Sequence, residues 1–133
     1  LDALAYRRGE ELLAGDIERA QEAALVGRSA EGALRADVLL VPHHGSKTSS
    51  SETFLDAVQP RIALVQAGYR NRFGHPAPEV AARYAAHGVR LVDSPRCGAA
   101  HWRSTQPADV ACERERHARY WRHRVPERVE IVN

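Results

Sequence analysis

Three short polar clusters in this 133-residue chain carry the residue types that metal and phosphate chemistry needs. Asp16, in Leu-Leu-Ala-Gly-Asp-Ile-Glu, is a carboxylate between an apolar run and a helical pattern, where it either caps a helix N-terminus or bridges metal ions. His43 and His44, in Val-Pro-His-His-Gly-Ser-Lys-Thr-Ser, are adjacent imidazoles at the end of another apolar run. A histidine pair is often no more than a surface feature. Here Gly45 lets backbone pass close to a ligand, and Ser46 and Lys47 add a hydroxyl and a point charge, which favours phosphate or metal contact. The third cluster, Asn71 to His75, again follows an apolar run and offers an amide and an imidazole. Lys47 is the only lysine in a chain otherwise rich in arginine.

The elements that would position these groups alternate between short apolar runs and helical patterns, the signature of an α/β arrangement. A first strand ends through Leu12, Leu13 and Ala14, and a helix over 17–26 follows, with Ile17, Ala20, Ala24 and Leu25 at helical spacing. Val38 to Val41 reads as a buried strand broken by Pro42. Serines 49–51 offer an N-cap for a helix through Phe54, Leu55 and Val58, closed by Pro60. Ile62 to Val65 is a third strand, followed by a loop from Gly68 to Pro76. Pro78 starts a helix through Val80, Ala81 and Tyr84 that ends at Gly88, and Val89 to Val92 is a fourth strand. Ala99 to Arg103 and Asp109 to Cys112 are candidate edge strands. Strands joined by crossover helices run parallel, so the loops after them leave the same edge of the sheet, where open α/β folds bind ligands. Asp16, His43-His44 and the 71–75 segment should therefore converge at one rim.

With 44% hydrophobic and 27% charged residues the chain has the makings of a single domain with a modest core, expected over residues 1–133. Its longest apolar runs fall far short of the roughly 20 residues a membrane-spanning helix requires, so a soluble piece is expected. It opens at Leu1 without Met and is read as part of a longer protein whose upstream sequence is missing. The net charge is only +2, yet Arg114, Arg116, Arg119, Arg122, Arg124 and Arg128 crowd the final stretch, 113–133, whose structure the sequence leaves open. Cys97 and Cys112 have no CxxC or zinc-finger spacing and pair only if the fold brings them together. Phe54 and Tyr84 sit on apolar helix faces and read as core. His87, beside Gly88, reads as a favourable charge at a helix C-terminus, whereas His101, His117 and His123 have no partner spacing.

Taken together, Leu-Leu-Ala-Gly-Asp-Ile-Glu and Asp-Val-Leu-Leu-Val-Pro-His-His-Gly-Ser-Lys-Thr-Ser-Ser resemble the later motifs of metallo-β-lactamase-fold hydrolases. Ala-Gly-Tyr-Arg-Asn-Arg-Phe-Gly-His-Pro and the terminal Arg-Tyr-Trp-Arg narrow the resemblance to the C-terminal hydrolase domain of the ComEC/Rec2 DNA-internalization (competence) family, over residues 11–124. The resemblance implies the C-terminal half of an αββα metallo-β-lactamase-type fold, with mostly parallel strands and crossover helices. It implies that Asp16 is the bridging metal ligand and His44 the final histidine ligand, since such strand ends place the ligand at the second histidine. His43 would then stand behind the metal, with Ser46 and Asn71 near substrate. Lys47 would neutralise a phosphate oxygen and His75 would serve the leaving group. The implied reaction is metal-dependent hydrolysis of a DNA phosphodiester, with manganese or zinc as cofactor and no small-molecule cofactor. The implied partners are single-stranded DNA and the remainder of a membrane channel protein, and the implied place is the extracytoplasmic side of a bacterial inner membrane.

One departure matters. The family's early His-x-Asp-x-Asp-His motif is absent from these residues, and Asp16 with His44 supplies two ligands where a divalent ion needs roughly four to six. The chain alone is therefore expected to bind metal weakly or not at all and to be inactive. Two other readings stay open: a non-catalytic module of the same fold that binds DNA or docks to the channel, and a phosphoesterase acting on a non-nucleic-acid phosphate ester. The tail arginines could follow a phosphate backbone with Tyr120, Trp121 and Trp102 stacking on bases, or pair with Glu113, Glu115 and Glu127.

Overall fold

Runs such as Val38-Leu39-Leu40 and Ile62-Ala63-Leu64-Val65 are apolar at successive positions, not alternate ones, which requires a sheet covered on both faces. The computed structural model describes residues 6–8 and 11–126 and has this arrangement. Five strands, β1 (Tyr6–Arg8), β2 (Glu11–Leu13), β3 (Val38–Leu40), β4 (Ile62–Val65) and β5 (Arg90–Asp93), lie side by side in chain order. β1 is antiparallel to β2, and the pairs β2–β3, β3–β4 and β4–β5 are parallel. The crossovers carry helices α1 (Arg19–Arg28), α2 (Glu52–Val58) and α3 (Pro78–Ala86). Short helices α4 (Ser94–Cys97) and α5 (Glu113–Arg116) bracket a separate antiparallel pair, β6 (Ala100–Trp102) and β7 (Val110–Cys112). The expected α/β class and the parallel order of its strands are both present.

Two apolar clusters share the sheet between them. On the helical face Leu12, Leu39 and Ala63 pack with Phe54, Leu55, Val58, Val80 and Tyr84. On the other face Val38, Ile62 and Val92 meet Val110 and the Cys97–Cys112 disulfide, which joins α4 to β7. Phe54 and Tyr84 are fully buried, as their spacing required. His87 ends α3 as expected of a C-terminal charge. Its Nδ1 lies 2.9 Å from the Arg83 carbonyl and its Nε2 3.2 Å from both Glu52 and Asp56. The backbone bond to Arg83 foremost, and the two carboxylates, hold its pKa above the ordinary histidine value against the opposing effect of burial.

The first helix departs from the sequence reading. α1 begins at Arg19 because Glu18 and Gln21 close a reciprocal capping box, leaving Ile17 buried in the turn before it. Its inward residues are Glu22 and Leu25, while Ala20 and Ala24 face solvent. A fully buried glutamate on a core face defeats hydrophobic periodicity. It is tolerated because its two oxygens accept the backbone N–H groups of Ser50 (2.5 Å) and Ser51 (2.8 Å). The chain that α1 and α3 clamp here is the segment leading into α2. Arg83 donates to the Ser49 and Ser50 carbonyls at 3.2 and 2.6 Å, and Ser51 caps α2 at Phe54.

Candidate functional site

The loops after β2, β3 and β4 meet at one rim of the sheet. Gly15, at φ +61°, turns the chain after β2 and leaves Asp16 exposed. Asp16 does not cap α1, since Glu18 occupies that position. After β3, the turn Pro42–Gly45 carries three successive residues in the left-handed region: His43 (φ 48°), His44 (φ 57°) and Gly45 (φ 80°). That conformation costs an L-residue roughly 1–2 kcal/mol, so the surroundings must hold it. The His43 N–H donates to the Gly15 carbonyl at 3.0 Å, Ser49 Oγ donates to the Pro42 carbonyl at 2.9 Å, and the Ala77 N–H donates to the Gly45 carbonyl at 2.8 Å. The loops after β2 and β4, and the turn's own chain through Ser49, thus grip the histidine turn.

The turn directs the two imidazoles apart. His44 Nδ1 is 2.7 Å from the carbonyl of Gln66, just beyond β4. A carbonyl can only accept, so Nδ1 carries the proton and neutral His44 presents the Nε2 lone pair to Asp16, whose Oδ1 lies 3.7 Å away. That separation matches the scale between two ligands each about 2 Å from one ion. His43 Nδ1 sits 3.2 Å from Glu18 Oε1, out of line for a hydrogen bond. Glu18 also accepts the Thr48 hydroxyl at 2.8 Å. The ring of His75 stands 6.3 Å from that of His43, edge to face. Burial first, and then the electrostatic interaction with the neighbouring imidazoles of His43 and His44, lowers the pKa of His75 below the ordinary histidine value.

Asn71 shapes the third loop from within. Its amide donates to the Gly68 and His75 carbonyls at 3.0 and 2.7 Å and accepts the His75 N–H at 2.9 Å, closing the loop around itself. Ser46 is buried, and its hydroxyl lies 3.1 Å from that of Thr48, so it too works inside its loop. Lys47 is exposed. It borders a cleft of ≈ 430 Å³ with Glu18, Arg19 and Glu79 on the α1 side of the histidine turn. The structure therefore joins Asp16 with His44 and His43 with His75, while Lys47 stands to one side. The sequence reading missed Glu18, because a glutamate in place of the usual Ser or Thr of a capping box carries little signal. The Gln66 carbonyl had no signal, because any residue supplies one.

Gly45 is the hinge of this packing. A Cβ there would stand 2.6 Å from Pro76 Cβ and 2.9 Å from Pro76 Cα, at a φ that side chains resist. Gly45→Ala is expected to destabilise the chain by about 2–4 kcal/mol, from left-handed strain plus overpacking. Urea denaturation of the two proteins measures it, and a loss under about 1 kcal/mol would mean the histidine turn and the Pro76 loop are not in contact.

Trp102 does not stack on the surface. It is half-buried, and its indole N–H donates to the Pro107 carbonyl at 3.2 Å. Tyr120 and Trp121 are exposed. His101 and His117, which lacked partner spacing, both meet Glu113, at 3.5 and 2.5 Å. Arg128 and Glu127 lie outside the described residues. Among the described residues no third His, Cys, Asp or Glu joins a cluster able to hold a metal, and none of the helices is long and apolar enough to cross a membrane.

No family model matches the chain. Among individual proteins it is similar to the competence protein ComA of Neisseria gonorrhoeae, 43% identical over 88 residues, or 66% of this chain and 13% of that protein. It is similar to the ComE operon protein 3 of Bacillus subtilis (strain 168), 35% identical over 92 residues, or 69% of this chain and 12% of that protein. Recombination protein 2 of Haemophilus influenzae is 42% identical over 65 residues, or 49% of this chain and 8% of that protein. The chain thus spans a short segment, 8–13% of the whole length, of these relatives.

Proposed function

We propose that this chain is the C-terminal part of a metallo-β-lactamase-type phosphodiesterase domain that hydrolyses DNA in a DNA-uptake protein. The observation that carries the reading is the Asp16–His44 pair: a carboxylate and an imidazole lone pair from successive parallel strands, 3.7 Å apart at an exposed rim. Names of the relatives support DNA uptake as the setting. Asp16 and His44 fit a divalent ion in chemistry and spacing, and the remaining ligands would come from outside the chain. When bound, manganese or zinc would supply an activated water and a counter-charge for the leaving oxygen.

The chain's own residues divide the remaining work. The Gln66 carbonyl fixes the tautomer of His44, and Asp16 stays solvent-accessible for coordination. Neutral His75, across from His43, can donate a hydrogen bond to a leaving oxygen. Lys47 provides a mobile charge for a non-bridging phosphate oxygen. Ser46 and Asn71 position the two loops. The Cys97–Cys112 disulfide supports an oxidising, extracytoplasmic compartment.

The test is a manganese- and zinc-dependent nuclease assay on the full-length protein, with Lys47→Ala compared to wild type. The variant should lose about two orders of magnitude in rate with metal content unchanged. Hydrolysis that survives complete chelation would refute the metal-dependent reading. A protein that cleaves a non-nucleic-acid phosphate ester and leaves DNA intact would replace it with a different substrate.

A further inference from the structure

All four exposed large hydrophobic residues among the described ones fall in two segments: Tyr69 (43% exposed) and Phe73 (66%) after β4, and Tyr120 (94%) and Trp121 (62%) in the tail. Three of them carry an arginine over the ring: Arg70 over Tyr69 at 5.3 Å, Arg72 over Phe73 at 4.7 Å and Arg119 over Trp121 at 5.2 Å. The segments are tied to each other. The Tyr69 hydroxyl is 2.8 Å from His123 Nε2, with the rings 5.2 Å apart, and Arg96 donates twice to the Pro126 carbonyl. Between them lies a cleft of ≈ 340 Å³ bordered by Tyr69, Arg70, His75, Arg96 and Pro126. Phe73 stacks on His75, which borders the cleft, with 5.6 Å between centroids.

Isolated exposed aromatics are ordinary on a protein surface. Rings paired with guanidinium groups, on a surface that also carries Arg122 and Arg124, make a different pattern. A ring offers its face to any base, and the arginines offer charge to the phosphates between bases. Duplex DNA keeps its base faces stacked inside and has no use for such rings. We infer that Tyr69, Phe73 and Trp121, with Arg70, Arg72 and Arg119, form a stacking track that holds single-stranded DNA and leads it to His75. The inference deepens the phosphodiesterase reading by assigning the residues that bind a single strand, and it rests on that reading for its direction toward the rim. Stacking is tolerant of sequence, so the track grips any strand passing through.

The test is fluorescence anisotropy of a labelled oligothymidylate titrated with the chain, against a duplex of equal length and against vesicles containing anionic lipid. The single strand should bind more tightly than the duplex. Phe73→Ala and Trp121→Ala should each weaken single-strand binding by roughly tenfold, with unchanged thermal midpoints because both rings are exposed. Arg70→Ala together with Arg72→Ala should flatten the salt dependence of single-strand binding by about 0.7 per lost phosphate contact. Equal affinity for duplex and single strand, aromatic variants that bind as wild type, or vesicle binding that exceeds DNA binding would each overturn the track. A chain that binds single strands as described, from a protein that hydrolyses no DNA, would keep the track and remove the nuclease.

Discussion

In the full-length protein, Asp16→Ala and His44→Ala should each reduce DNA hydrolysis by about three orders of magnitude or more, a loss of roughly 4 kcal/mol of transition-state stabilisation. Both should also lower the bound metal. The argument begins at the rim: Asp16 Oδ1 and His44 Nε2 are 3.7 Å apart, and the His44 tautomer is set by the Gln66 carbonyl. Among the described residues no third His, Cys, Asp or Glu completes a metal-holding group with them. Removing either leaves one donor, too little to hold an ion in fixed geometry. His43→Ala should behave differently. Its Nδ1 faces Glu18, away from Asp16, so the variant should keep its metal and retain measurable activity. Metal analysis beside the rate assay separates the classes. Wild-type hydrolysis and metal content in Asp16→Ala would remove the assignment, and metal loss in His43→Ala with none in His44→Ala would exchange the two histidines.

Why the rim could be read before the structure, while much of its support could not, comes down to which interactions leave a pattern. Apolar runs at β3 and β4 are dictated by burial on both faces, and Pro42, Pro60 and Pro78 punctuate them, so strand ends and the loops beyond were legible. Parallel order then placed Asp16 beside His44 and His75 beside His43. The precise helix start was lost because Glu18 and Gln21 cap each other, and the inner face of α1 because Glu22 is buried where periodicity expects a hydrophobe. Long-range polar satisfaction has no period. The left-handed backbone at His43 and His44 was equally hidden, since those angles are ordinarily associated with glycine and are imposed here by bonds from Gly15 and Ala77. The disulfide became visible only once α4 and β7 were adjacent.

The largest loss of stability should come from a residue outside the candidate site: Glu22→Ala should destabilise the chain by about 3–5 kcal/mol. Glu22 is 0% exposed, and both its oxygens are occupied by backbone N–H groups of Ser50 and Ser51. Truncation strands two amides where water has no ready access, each at a cost of about 1–3 kcal/mol. Ser50 sits at φ 57°, a strained angle held by these bonds and by its hydroxyl contact with Tyr84 at 3.0 Å. Burial raises the pKa of that tyrosine well above its usual value. Glu22→Gln should lose less, because one amide oxygen still accepts while its NH2 group meets the second backbone N–H badly. Against a total stability of roughly 5–15 kcal/mol, the alanine variant should be partly unfolded at 37 °C. Urea denaturation of wild type, Glu22→Ala, Glu22→Gln and Arg83→Ala, closed as a double-mutant cycle, measures the coupling. Additive losses for Glu22 and Arg83 would show that the two clamps on residues 49–51 act independently. A loss below about 1 kcal/mol in Glu22→Ala would mean that water reaches Ser50 and Ser51 and that the buried carboxylate is not what holds the chain beneath the histidine turn.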